Sequence, residues 1–590
     1  MVSKQHDRYY SIFCTAILIG LLSGASLLAQ TLETAPFNPA FTAQQQSKGD
    51  GARNYGYVPG PVDWSHLCEL GAEKADSVYP ERFDWRDTIT LTPIKDQGIC
   101  GACWAFSTCA ALEAWCQIHL GESWDFSENH MKNTHGFLWD ACAGGNDSLA
   151  MAYLSRWSGP LKESDDPYNQ HAITGPVPGA APQKRLGEAT LYADLQNGAP
   201  NGQDPIKAAV MNRGPVITPM TWMNNAFDVS SASYYYNGSE VLNHMVTIVG
   251  WDNNKTVVGA PGKGAWICKN SWGTLFGDHG YFFISYYDHQ ACKIATGFYE
   301  LTEVYPWERI YQYDPLGHVS SQGFPPSTVV YAANVFQAEA TESLVSVGTY
   351  VLSNNANLEI IIYDGGAVNY QFSNPLLSFS VSLEHAGYHV IALPEPLTIE
   401  EDAYFTVRIR YETPGMGYPI PVEISIPGFS QTTGGPAQSY FSPDGVTYED
   451  YSAYMPDGNI CIKAMTGHVT PPSPVVSILG SPRTTTGTRI ELKSLVQNIP
   501  GTITGYVWVK DGVPIPGEHG TSYVILSVDL SDAGVYQLQV MNDNDQVYSS
   551  TPFILEVLPE DAMPLGSGII VGILALGTGA FMLSRRRRKA

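Results

Sequence analysis

Lys95-Asp96-Gln97-Gly98-Ile99-Cys100-Gly101-Ala102-Cys103-Trp104-Ala105-Phe106-Ser107 is the stretch on which the reading of this chain turns. Two cysteines three positions apart sit in a Gly/Ala loop, and an apolar run from Cys103 to Leu120 follows at helical spacing. Cys103 therefore opens a helix. A thiol of ordinary pKa, about 8.5, is mostly protonated at neutral pH, but the positive end of a helix and a neighbouring imidazolium both favour the thiolate. A lone buried cysteine is more often an inert packing residue. Cys103 becomes a candidate nucleophile only in the company of a base and of a group that orients the base.

Both are present further along. The base is in Leu242-Asn243-His244-Met245-Val246-Thr247-Ile248-Val249-Gly250-Trp251, about 140 residues after Cys103, and the third element is Lys269-Asn270-Ser271-Trp272-Gly273. Taken singly, His244 reads as a satisfied core histidine and Asn270 as a turn residue. Together, in this order, the three segments resemble the papain family of cysteine peptidases over residues 80–301. The resemblance implies peptide-bond hydrolysis, with attack by Cys103 on the carbonyl and proton transfer to the leaving amine by His244. It makes Asn270 the group that orients the imidazole, and the Gln97 amide and Cys103 N–H the oxyanion donors. Trp272 would shield the His–Asn bond, while Trp104 receives no catalytic role. Cys142-Ala143-Gly144-Gly145 resembles the family's CxGG segment, which implies a Cys100–Cys142 disulfide and close approach of substrate backbone at Gly144 and Gly145.

The chain also departs from the family pattern. His244 and Asn270 are 26 positions apart, further than in compact members, and an extended hairpin loop from Asp252 to Gly264 is expected to absorb the excess. Residues 31–79 are polar and Gly-rich, without the amphipathic helical pattern of papain-like propeptides. Any prosegment is expected to be short, which puts zymogen control in question.

A chain of 590 residues predicts two to four domains. Hydrophobic residues make 44% and charged residues only 15%, so folded domains are expected rather than disorder. Against 57 acidic side chains stand 32 basic ones, a net charge of −25 that repels phosphates and excludes nucleic acid as a partner. Lys4, Arg8, the apolar run Ile12–Leu22 and the small residues Ser23 and Ala25 predict a signal peptide at 1–29. Residues 563–583 are uncharged and long enough to span a bilayer, and the basic tail 584–590 follows. This predicts a single-pass anchor with a cytoplasmic tail or a C-terminal sorting signal, and hence an extracellular, cell-surface location. Of ten cysteines, nine remain after Cys14 leaves with the signal; the odd number fits one thiol kept for chemistry, and the other pairings stay open.

The expected order is a short N-terminal or pro segment (30–79), a peptidase domain (80–301), a β-sandwich (302–466), a Pro-rich linker (467–474) and a second sandwich (475–558). The fold class is thus multidomain: an α+β papain-like domain, with helical and β subdomains, followed by all-β sandwiches. Phrases such as Tyr311-Gln312-Tyr313-Asp314 and Asn459-Ile460-Cys461-Ile462-Lys463-Ala464 resemble the lectin-like domain that accompanies some prokaryotic papain-like peptidases. That resemblance suggests a carbohydrate ligand, with Tyr440 and Tyr448 as candidate stacking residues, although packing explains most sandwich aromatics. Trp508 in a Tyr-Val-Trp-Val strand and Tyr536 after Asp532-Ala533-Gly534 resemble an immunoglobulin-like domain without its inter-sheet cysteines. No cofactor is expected, and no Cys/His cluster or Asp-rich loop has metal-ligand spacing. Two other functions compete with hydrolysis: acyl transfer to an amine by the same thioester chemistry, and a surface adhesin whose peptidase-like domain is inert.

Overall fold

The computed structural model describes residues 31–559 apart from 47–54, 70–78, 172–176, 194–203, 306–307, 468–474, 480–482, 498, 500–501, 544–545 and 551. The expected signal peptide, nearly all of the Pro-rich linker and the segments 563–583 and 584–590 lie outside the described residues. Among the described residues no helix is long and apolar enough to cross a membrane. The chain divides into two compact units, one up to Gly467 and one from His468.

In the first unit the apolar run predicted as a helix forms Cys103–Trp115, extended by a wider turn over Cys116–Leu120 that ends at Gly121 with φ 68°. Its residues are mostly apolar, and all but Ala110 are buried, Ser107, Thr108 and Glu113 included, so it runs through the core instead of along the surface. Helices Glu128–Asn133 and Asp147–Ser155 pack beside it, capped by the side chains of Ser127 and Asn146. Opposite lies the antiparallel ladder of Ile294–Tyr299, Val216–Met220, His244–Thr256, Lys263–Lys269 and Tyr281–Ser285. The long His–Asn separation is taken up by strand rather than loop, since the hairpin pairs out to Thr256 and Lys263.

The ladder does not stop at residue 301. Strand Glu188–Ala193 pairs on one side with Ile294–Tyr299 and on the other with Gly387–His389, so a single thirteen-stranded sheet runs from the peptidase-like half into the β-rich half. Gly387 makes the crossing feasible: it has φ 137°, and a Cβ there would lie 2.0 Å from the Ala189 carbonyl oxygen. A six-stranded sheet, Pro375–Leu383, Ala356–Asp364, Tyr404–Glu412, Val329–Gln337, Ser439–Ser442 and Glu449–Asp450, packs on this one to complete the β-rich half. Its outer face corrects one expectation. Tyr440 and Tyr448 are buried, and Phe372 from the overlying 365–374 loop packs on them at 5.6 and 4.8 Å, so neither ring is free to stack on a sugar.

The second unit is a sandwich of a three-stranded sheet (Val475–Leu479, Ile490–Gln497, Ser522–Ile525) and a six-stranded one built on Ile503–Lys510, Gly534–Asn542 and Phe553–Leu558. Trp508, Leu538, Tyr536, Val540, Leu492 and Leu555 form its core. Burying each such side chain contributes about 1.5–3 kcal/mol. The Tyr536 hydroxyl donates to the Asp532 carbonyl at 2.8 Å, and Leu538 sits directly opposite Trp508.

Candidate active site

The Gln97–Cys103 loop is fastened at both ends before it presents anything to the cleft. Lys95 reaches Asp125, Glu128 and Glu113 at 2.6, 2.8 and 3.2 Å, which ties the start of the loop to the base of the Cys103 helix. Cys100 and Cys142 form a disulfide, and the Gly101 N–H donates to the Cys142 carbonyl at 3.2 Å. Ala102 caps the helix without a side-chain acceptor, so the first N–H groups and the dipole end face the Cys103 thiol.

The strand carrying His244 is held to the same helix by two hydroxyl bonds, Ser107 Oγ to the Met245 carbonyl (3.0 Å) and Thr247 Oγ1 to the Ser107 carbonyl (3.2 Å). Its neighbour, Lys263–Lys269, delivers Asn270 at its end. His244 Nε2 donates to Asn270 Oδ1 at 2.8 Å, which leaves Nδ1 as the acceptor nitrogen. Among the described residues Nδ1 has no hydrogen-bonded donor, although the Tyr55 carbonyl lies near the ring. Trp272 stacks on the imidazole with centroids 4.4 Å apart, and Trp222 and Phe276 close around Trp272. Water is thereby kept from the His–Asn bond.

Gln97 is fixed by Ser271, whose residue type carries no signal of its own in the sequence. Ser271 Oγ donates to Gln97 Oε1 at 2.7 Å, so the amide NH₂ must point the other way, toward the thiol end of the helix. The only signal for Ser271 was its place beside Asn270.

The cleft is filled by the chain's own N-terminal segment. Gln97 Nε2 donates to the Tyr55 carbonyl at 2.8 Å, the Val58 N–H to the Gly145 carbonyl at 3.0 Å, and the Gly145 N–H to the Gly56 carbonyl at 2.9 Å. Tyr57 N–H bonds the Asn243 carbonyl, and Asn146, the helix cap, donates to the Val58 carbonyl at 2.9 Å. Gly56 lies on the nucleophile: with φ 119°, a Cβ there would stand 2.9 Å from Cys103 Sγ and 2.6 Å from the Gly101 carbonyl carbon. Gly145 has no room for a side chain because the Trp104 indole lies where one would go, at 2.5 Å; Gly144 is the left-handed residue before it, φ 117°. The segment, expected to be short and without the usual amphipathic helix, occupies the site by backbone bonds, which no amphipathic pattern reveals.

Covered in this way, Cys103 and His244 are both completely buried. Burial pushes the Cys103 thiol well up, outweighing the N–H groups of Met245, Trp104 and Cys103 that favour the thiolate. Burial likewise lowers His244 to about 4, against the opposing bond to Asn270. In the closed cleft burial thus favours the neutral thiol and the neutral imidazole.

Residues 79–301 match the family described as Papain family cysteine protease, and residues 310–466 match the Lectin like domain. Residues 79–301 are a papain-family cysteine protease domain. This protease domain is 32% identical over 220 residues to Cysteine proteinase 3 of Entamoeba histolytica, and 32% over 221 residues to Cathepsin S of Bos taurus. Each match takes in 37% of this chain and covers 66% and 63% of those relatives' own lengths. The solved cysteine protease and lectin-like domains of Cwp84, a surface layer associated protein of Clostridium difficile, superpose with a TM-score of 0.63 at 23% identity. That alignment covers 74% of this chain and 98% of the Cwp84 chain, so the likeness of fold extends beyond the protease domain into the β-rich half.

Proposed function

We propose that this chain is an exported cysteine peptidase whose full-length form is latent. Cys103 attacks a peptide carbonyl, His244 takes and returns the proton, and Asn270 holds the imidazole. Gln97 and the Cys103 N–H receive the oxyanion, Gly144 and Gly145 pair with the substrate backbone, and Trp272 keeps water from the His–Asn bond. One observation carries the reading: Gln97 already donates to a peptide carbonyl, that of Tyr55, with the next residue lying on Cys103 Sγ. The cleft thus binds extended backbone at the thiol. This supports reading residues 30–79 as a pro segment, whose departure would rehydrate Cys103 and His244 and let the thiolate–imidazolium pair form.

The other parts of the chain support an extracellular setting. The trailing sandwich has the Trp508 core and the Tyr536 corner of an immunoglobulin-like domain, with the parallel Arg483–Thr485 and Phe553–Leu558 pair at its edge. Residues 1–29 have the order of a signal peptide and 563–590 that of an anchor or sorting signal, and Cwp84 is itself surface layer associated.

The test is hydrolysis of a peptide library by protein freed of residues 1–69, with inactivation by one equivalent of a thiol-directed epoxide. Cys103→Ser is expected to abolish turnover, and full activity in that variant would overturn the assignment.

A further inference from the structure

The segment that fills the cleft is not held by the cleft alone. Glu33 and Thr34 pair with Gly323 and Gln322, adding a strand to the small sheet of Ser320–Gly323, Ile420–Glu423 and Asn459–Ile460 in the lectin-like domain. The Ala35 N–H continues the ladder to the Ser321 carbonyl at 2.8 Å, Gln322 Nε2 donates to Thr34 Oγ1 at 3.0 Å, and the Tyr454 hydroxyl donates to the Leu32 carbonyl. Phe41, on the helix Pro39–Gln46, is buried edge-on against Phe429 at 5.3 Å. Phe429 itself packs on Phe137 and Trp139 of the protease domain. After the cleft-filling residues the chain returns to the lectin-like domain, where Trp64 meets His318 at 5.4 Å and His66 bonds the Leu352 carbonyl at 2.6 Å.

We propose that the lectin-like domain is a peptide-binding domain whose ligand is residues 32–46 of this chain, and that this binding keeps residues 55–58 on the thiol. The proposal rests on the latency reading only in its second half. Backbone bonds in the cleft replace bonds to water and are individually weak. The lectin-like side supplies strand addition together with buried Leu32 and Phe41, which is how extended peptides are held tightly on a sheet edge. Anchors on both sides of residues 55–58 raise their effective concentration at Cys103. The Asn38 N–H, bonded to the Pro61 carbonyl at 2.8 Å, joins the anchor to the plug directly.

Two measurements test this. A fluorescent peptide of residues 31–46 is titrated onto chain lacking residues 1–54, whose folding is checked by circular dichroism and thermal melting. Saturable binding is expected, weakened at least about tenfold when the peptide carries Phe41→Ala. No binding at millimolar peptide, or equal binding of the altered peptide, overturns the proposal. In the full chain, Phe41→Ala is expected to speed alkylation of Cys103 by iodoacetamide at least about tenfold; an unchanged rate overturns the claim that the anchor maintains the plug. The binding measurement needs no catalysis. Absent hydrolysis with intact binding would therefore sink the peptidase reading alone.

Discussion

Two indoles show how differently the two units treat a buried polar atom. Trp272 lies flat on His244 at 4.4 Å, covering an imidazole whose Nδ1 is unmet and an asparagine whose Nδ2 is unmet. Trp508, in the trailing sandwich, fills a core and donates its own N–H to the Gly520 carbonyl at 3.0 Å. Among the described residues every buried side-chain polar atom without a partner lies before residue 460, none in 475–559. Unmet buried polar groups cost stability, and a catalytic role is one reason for them to persist. In the first unit two of these unmet atoms, His244 Nδ1 and Asn270 Nδ2, belong to the candidate site, whereas the second unit pairs every buried side-chain polar atom among its described residues.

If that contrast holds, equivalent damage has opposite outcomes. Gln97→Ala in the processed enzyme should lower kcat roughly 10²- to 10³-fold by removing one oxyanion donor. Its cost in stability should be about 1–3 kcal/mol, that of leaving the buried Ser271 hydroxyl without its acceptor. Trp508→Ala should cost the trailing sandwich about 3–5 kcal/mol and leave kcat alone. Peptide turnover and calorimetry on both variants decide it, and a kcat loss in the Trp508 variant would erase the distinction.

Titration sharpens the comparison next. With the cleft filled, burial favours the neutral thiol and the neutral imidazole, so alkylation of Cys103 in the full chain should be slow at pH 7 and climb only in alkaline solution. Once the segment is removed, the imidazolium regains stability and the thiolate with it, so the alkylation profile should rise at lower pH. Superimposable profiles for the two forms would show that the segment does not control the pair. The smallest effect is expected from Gly56→Ala in the full chain. The new methyl meets Gly101, Ala102 and Cys103 within 3 Å and the backbone is left-handed, so alkylation should quicken about tenfold or more. A rate equal to wild type would mean that the backbone over Cys103 yields freely.

The residues of the candidate site were legible because each belongs to a short local pattern: Cys103 and Gln97 in one loop, His244 before a strand, Asn270 after one. The plug was not, since Tyr55, Gly56 and Val58 act through backbone atoms and their side chains carry no periodic signal. Ser271 was passed over because a serine beside a motif residue has no distinctive chemistry until Gln97 is seen against it. Strand segments such as 358–363, 388–393 and 404–409 were readable from alternation, but their neighbours were not. The pairing of Glu188 with His389 joins residues some two hundred positions apart, and periodicity is silent about partners. Tyr440 and Tyr448 misled for the same reason: the loop that brings Phe372 onto them is distant in sequence.

The crossing at Gly387 has a mechanical consequence. Hydrogen bonds run without interruption from Tyr281–Ser285, through the His244 strand, across Glu188–Ala193 and on to Arg309–Tyr311. The wall of the cleft that carries His244 and Asn270 is therefore one plate with the lectin-like half. A load applied to that half travels along the ladder as shear and reaches the imidazole through strands instead of a hinge, while the Cys103 helix, on the other wall, is tied to the plate by the hydroxyls of Ser107 and Thr247.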